Sequence, residues 1–198
     1  MKPEHIKLKR GCRMTCIAAI KDGNKIWMGA DDMVTTGSDY YMLGYDKIIK
    51  RSNMLMGLAG NLRIMQLIQC GFFPKLQQTD KQNDLEYLAT TLTQELRKML
   101  EKFKAFDKDK EDDETPSVEM LIAYRGKIYK ITDDLCVLEA KQNFQAIGTG
   151  HAIAIGSLLT TKGMPEIDSE KRLRLALKTA ASYILGVSPS VKIKTITF

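Results

Sequence analysis

Thr15-Cys16-Ile17-Ala18-Ala19-Ile20, then Lys21-Asp22-Gly23-Asn24, then Lys25 to Ala30, reads as two short β-strands folded about an Asp-Gly turn. A second pair follows. Lys47-Ile48-Ile49-Lys50 leads through Arg51-Ser52-Asn53 into Met54-Leu55-Met56-Gly57-Leu58-Ala59. Gly60-Asn61 breaks that strand, and residues 62–70 take helical spacing through Leu62, Met65 and Ile68 or Gln69, ending at Gly71-Phe72-Phe73-Pro74. A longer helix starts near Asp84, the expected N-cap, with Leu85, Leu88, Leu92, Leu96, Met99 and Phe103 as its core-facing stripe. Residues 107–116 form a charged interruption that reads as a solvated loop; the glycine and ligand spacing of a Ca²⁺ loop are absent.

Strand patterns then return at 118–124, 127–132, 136–139 and 144–147. The tight junction Gly148-Thr149-Gly150 opens a helix at 152–161, and Asp168 caps a last helix carrying Leu173, Leu177, Ala180, Ala181 and Ile184. Residues 192–198 close the chain as a strand. Hairpins, two helices, hairpins, two helices and a strand imply an α+β protein. The expected form is a four-layer α/β/β/α sandwich, two antiparallel sheets facing each other and each covered by helices.

The 198 residues, 44% hydrophobic and 27% charged, suit one domain with one substantial core. No apolar run has the length of a membrane span, and residues 1–13 lack the apolar block of a secretory signal, so a cytoplasmic protein is expected. Cys12, Cys16, Cys70 and Cys136 form no CxxC pair and only His5 and His151 are available, so neither a metal nor a cofactor is expected. The net charge of +6 suggests a nucleic-acid partner until it is located. Lys2, Lys7, Lys9, Arg10 and Arg13 face only Glu4 in residues 1–14, and beyond them acids and bases alternate. No basic stripe is left for a nucleic acid.

Two histidines offer little for a Ser-His-Asp arrangement. His5 lies in the leader, and His151 after Gly148-Thr149-Gly150 leaves Thr149 as a lesser candidate nucleophile. A nucleophile can instead take its base from its own terminus. An α-amine has a reference pKa of roughly 7.7–8.0, so much of it is neutral near pH 7, and it is covalently held beside its own hydroxyl. Such a design needs a free Thr, Ser or Cys terminus, a lysine that disfavours protonation of the amine, a carboxylate that holds the lysine, and an oxyanion donor.

Thr15, Asp31 and Lys47 stand in that order, with Met28-Gly29-Ala30-Asp31, the run Asp31 to Thr35 and Gly37, and Met56-Gly57-Leu58-Ala59-Gly60 around them. This pattern resembles the proteasome β subunits and the HslV-like N-terminal-nucleophile hydrolases. In that family an N-terminal threonine is followed by an aspartate and then a lysine at these spacings, and a Gly-x-Ala-Gly junction comes next. Gly148-Thr149-Gly150 resembles the family's Gly-Ser-Gly turn. The likeness runs through residues 15–198 and is strongest in its first quarter.

The resemblance implies the four-layer fold and a threonine peptidase acting through an acyl-enzyme on Thr15, with residues 1–14 a leader or propeptide and 15–198 the hydrolase domain. It implies that the freed amine is the base, that Lys47 tunes it, that Asp31 holds Lys47, that the Gly60 N–H donates to the oxyanion and that Thr149 supplies a supporting hydroxyl. Thr35 would pair with the substrate backbone. Leu58 and Met33 suggest an apolar substrate pocket. Implied partners are a peptide or unfolded-protein substrate, further copies of the chain in a ring or related array, and an ATPase of unknown identity.

Two features here depart from the family. Met14 rather than glycine precedes Thr15; Met14 as the true start, trimmed by methionine aminopeptidase, would free the same terminus. Ser182 stands where many relatives have an aspartate near the site. Cys16 as nucleophile would shift both spacings by one. The alternative functions are an amidase of small amides using the same chemistry, or a non-catalytic ring or scaffold subunit with the leader retained.

Overall fold

A computed structural model of the chain describes residues 14–36, 39–74, 83–105 and 117–198. The expected loop at 107–116, most of the leader and Gly37 lie outside these residues.

Two antiparallel sheets carry the molecule. The first has the order β10-β1-β2-β11, built from β1 (Ile17–Asp22), β2 (Lys25–Asp31), β10 (Phe144–Ile147) and β11 (Val191–Thr197). The second has the order β5-β6-β7-β8-β9, from β5 (Ile48–Arg51), β6 (Met54–Gly60), β7 (Val118–Tyr124), β8 (Lys127–Ile131) and β9 (Val137–Glu139). Alternation along each strand sends side chains to two faces. Ile17, Ala19, Ile26, Met28 and Ala30 of the first sheet meet Ile48, Leu55, Ala59, Leu121 and Ala123 of the second in the central core.

The outer faces are covered by helices. Cys16, Ala18, Ile20, Phe144 and Ala146 pack under α4 (His151–Thr160) and α5 (Ser169–Tyr183), against Ala154, Leu158, Leu173, Leu177 and Ala180. Met54, Met56, Leu58, Met120 and Ile122 pack under α1 (Leu62–Gly71) and a second helical run. Three apolar layers between four layers of elements make the expected α/β/β/α sandwich. Each fully buried Leu or Ile in those layers contributes about 1.5–3 kcal/mol relative to exposure.

The second helical run corrects the sequence reading in two places. It comprises α2 (Asp84–Glu86), a π-helical stretch (Tyr87–Leu92) and α3 (Thr93–Lys102), and its N-cap is Asn83, whose side chain accepts from the Glu86 N–H, rather than Asp84. A π turn holds more residues than an α turn and rotates the apolar stripe. Leu88, Leu92 and Leu96 are buried as expected, but Leu100 then takes the inward position, and Leu85 and Phe103 are exposed. The sequence reading also missed the small hairpin β3 (Met33–Thr36) and β4 (Asp39–Met42), whose Tyr40, Tyr41 and Met42 face outward and so leave no alternating signal. Asp168 caps α5 as expected, its side chain accepting from the Lys171 N–H.

Candidate active site

Strand register brings the site together. In hairpin β1–β2, Ile17 faces Ala30, so Cys16 lies beside Asp31. The Asp31 N–H donates to the Cys16 carbonyl at 3.3 Å, and the Cys16 N–H returns to Asp31 Oδ1 at 3.0 Å. Thr15 follows one residue further out. In hairpin β5–β6, Ile48 faces Gly57, and the Leu58 N–H donates to the Lys47 carbonyl at 3.1 Å. The start of β1, the end of β2 and the start of β5 therefore meet at one end of the two facing sheets. The length of the first hairpin sets the interval from Thr15 to Asp31, and the crossing to the second sheet sets the interval to Lys47.

An ammonium has three protons, and that of Lys47 meets three groups. It donates to Thr15 Oγ1 at 2.7 Å, to both oxygens of Asp31 at 2.9 Å, and to the Met33 carbonyl at 2.5 Å. Asp31 also accepts from the Met33 N–H at 3.2 Å. Thr15, Asp31 and Lys47 are 3%, 1% and 2% exposed, so water does not compete for these bonds. Burial pulls the Lys47 ammonium below the usual lysine range, although Asp31, and more distantly the charge of Asp32, pulls the other way. Burial likewise raises the Asp31 carboxyl against Lys47 and the two backbone N–H donors. A lysine that holds its proton less tightly than one in water, aimed at a hydroxyl oxygen, stabilises negative charge developing on that oxygen.

The other side of Thr15 is formed by the turn after β10. Ile147 faces Ile17 across the first sheet, which puts Gly148 against the threonine. Gly148 has φ +81°, and a Cβ there would stand 2.4 Å from the Thr15 carbonyl oxygen, so both conformation and space demand glycine. The Gly150 N–H donates to that same oxygen at 3.2 Å. Gly60 ends β6 with φ +122°, one residue before the α1 N-cap Asn61. Ala59, Gly60, Ser117, Glu119, Asp133, Gly148 and Thr149 line one cavity of about 250 Å³. The structure thus brings Thr15, Asp31 and Lys47 into direct contact, and places Gly60 and Thr149 in one cavity with Gly148, the residue packed against the Thr15 carbonyl. Thr35, on β3, accepts from the Met14 N–H at 3.4 Å.

Two sequence expectations need correction. Leu58 is fully buried in the layer under α1 and α3, because alternation along β6 turns it away from the central core that Ala59 faces; it has no surface to offer a substrate. Ser182 is exposed on α5 and donates to the Lys178 carbonyl of its own helix, so it supplies no hydroxyl to the site. His151 is exposed, with Nδ1 at 2.8 Å from the Gly148 carbonyl, where it closes its own turn. Cys16 is buried beside Thr15, and burial first, then the charge of Asp31, pushes its thiol up to about 12 against the opposing effect of Lys47; at neutral pH it is a protonated thiol.

Sequence reasoning also passed over two groups. The Met33 carbonyl, as a backbone atom, left no signal. Glu119 did leave one: it is the single charged residue in the strand Val118–Tyr124. Its Oε2 accepts from the Gly148 N–H at 3.0 Å, and its Oε1 lies 2.5 Å from Lys130 Nζ. Among the described residues no group of three or more His, Cys, Asp or Glu side chains could hold a metal ion, and no helix is long and apolar enough to cross a membrane.

No family model matches the chain. It is similar to the ATP-dependent protease subunit HslV of Caldanaerobacter subterraneus, 26% identical over 191 residues that cover 93% of this chain and 99% of the relative. It is likewise similar to HslV of Thermoanaerobacter pseudethanolicus, 25% identical over 92% of this chain and 98% of the relative. Among solved structures, Thiobacillus denitrificans BPH in complex with epoxomicin superposes with a TM-score of 0.77 at 18% identity, covering 92% of this chain and 98% of that one. Eukaryotic HslV from Trypanosoma brucei superposes with a TM-score of 0.65 at 16% identity, covering 93% and 100%.

Proposed function

We propose that this chain, which is similar to HslV over most of its length and shares the fold of the solved HslV and BPH structures, is a threonine peptidase whose nucleophile is Thr15. The observation that carries the reading is the Lys47 ammonium, buried, gripped by Asp31 and 2.7 Å from Thr15 Oγ1. Leader residues 1–14 are removed, which frees the Thr15 amine. That amine takes the hydroxyl proton as Oγ attacks the substrate carbonyl, and Lys47 steadies the oxygen as its charge grows. The resulting oxyanion is met by the Gly60 N–H, a donor of a kind worth roughly 2.7–4 kcal/mol.

The amine then returns its proton to the departing nitrogen of the substrate, the C–N bond breaks, and an ester on Thr15 remains. Water, deprotonated by the same amine, cleaves the ester and restores the free hydroxyl. Thr149 supplies a hydroxyl at the edge of this site, and Thr35 on β3 pairs with the backbone of an extended substrate, as it now accepts from the Met14 N–H.

The curated relatives are named as subunits of an ATP-dependent protease, which supports assembly of this chain into a ring or related array and delivery of unfolded polypeptide by an ATPase. The test joins N-terminal mass spectrometry to a fluorogenic-peptide assay. Protein that starts at Thr15 is expected to cleave, and Thr15→Ala to lose at least about 10³-fold in kcat. Equal cleavage by the two proteins would overturn the assignment, and an intact leader with no cleavage would favour a scaffold subunit.

A further inference from the structure

The geometry points to Glu119 as a positioning residue that holds Thr15 from the side opposite Lys47, through the turn at 148–150. The inference rests on the proposed role of Thr15 and adds a residue to it.

Thr15 is fixed at two atoms. Its Oγ1 is held by Lys47, and its carbonyl oxygen is held by the Gly150 N–H at 3.2 Å and crowded by Gly148. The second hold is only as firm as the turn that delivers it, and the turn follows a short strand at the rim of its sheet. Glu119 ties it down from the other sheet. It sits on β7 opposite Ala59, next to Gly60, and its carboxylate spans the gap to accept from the Gly148 N–H at 3.0 Å. A backbone N–H bonded to a carboxylate is a stronger tether than one bonded to a neutral acceptor.

The same carboxylate needs a counter-charge. It lines the cavity shared by Gly60, Gly148 and Thr149, where the oxyanion forms, and a bare negative charge there would oppose it. Lys130, 2.5 Å away on β8, supplies the balancing charge. Burial raises the Glu119 carboxyl, but the bonds from Lys130 and the Gly148 N–H outweigh it and keep the group below the usual glutamate range. It is therefore ionised throughout neutral pH, and the tether is lost only as pH falls through that lowered value.

Thr15→Ala, Glu119→Ala, Glu119→Gln and Lys130→Met are compared in the full chain by peptide-cleavage kinetics and by amide exchange across residues 147–151. Glu119→Ala is expected to lower kcat about 10- to 100-fold with KM within about twofold, and to speed exchange in the turn. Glu119→Gln keeps an acceptor oxygen for the Gly148 N–H and restores most of kcat and of the protection. Lys130→Met lets the carboxyl rise, so the acid-side loss of activity moves to higher pH. Wild-type kcat and wild-type exchange in Glu119→Ala would sink the inference, as would Glu119→Gln failing as badly as Glu119→Ala. If Thr15→Ala cleaves like wild type, the peptidase reading falls instead, and the exchange data still judge Glu119 on their own.

Discussion

Asp31–Lys47 and Glu119–Lys130 are both carboxylate–lysine pairs, and they stand on opposite sides of Thr15. In the first, neither side chain has any exposed surface. In the second, the lysine is 20% and the glutamate 30% exposed. The difference sets what each can do. Burial pushes Lys47 and Asp31 away from their ordinary ionisation, so that pair alters the chemistry of the hydroxyl it touches. Water still reaches the second pair and screens its charges, which makes the pair a geometric tie.

The largest effect that separates them is on stability. Asp31→Ala or Lys47→Ala strands a buried charge, and either should cost about 3–5 kcal/mol, read as a fall in the urea midpoint, together with loss of cleavage. Replacing both at once, Asp31→Leu with Lys47→Met, should recover much of the stability and none of the activity. Lys130→Met should cost about 0–1 kcal/mol, as expected for a solvent-screened pair. Equal losses from Lys47→Ala and Lys130→Met would erase the distinction drawn between the two sides.

The two sides were also unequally legible. Thr15 and Asp31 stand at the two ends of one hairpin and Lys47 opens another a short stretch later, so local lengths become spacing in the chain, and spacing can be read. The sandwich was legible for the same reason, since each hairpin and helix carried its own period. Glu119 and Gly148 are separated by 29 residues and belong to different sheets, and only the packing of one sheet on the other joins them. A one-residue alternation decided against Leu58, whose apolar character says buried but not on which face. The rotation of the apolar stripe at Tyr87–Leu92 was hidden because no residue type marks a π turn as proline marks a kink.

The turn itself gives the next effect. Gly148→Ala adds a methyl group 2.4 Å from the Thr15 carbonyl and forces a side chain onto φ +81°. Backbone must move, at a cost of about 1–3 kcal/mol. The movement falls on the proposed nucleophile, so kcat should drop more than tenfold, by the sensitivity expected of misplaced reacting groups. Full activity in Gly148→Ala would mean that the turn does not set the position of Thr15, and the tether from Glu119 would lose its purpose.

Cys16 joins the two sides, and its effect is the smallest. Its N–H bonds Asp31, and its Sγ lies only 2.9 Å from where a Cβ on Gly150 would stand, so it is packed between the lysine pair and the turn. With the thiol pushed up to about 12, the reactive thiolate is scarce at pH 8, and the sulfur is fully buried besides. Cys70 and Cys136 are exposed. Iodoacetamide at pH 8 followed by peptide mapping should therefore label Cys70 and Cys136 in the native protein and Cys16 only after unfolding. Glu119→Ala, which loosens one wall around the sulfur, should raise the Cys16 labelling rate modestly, whereas Lys130→Met should leave it near that of wild type. Rapid native labelling of Cys16 would place a thiolate beside Thr15 and reopen the question of which of the two atoms is the nucleophile.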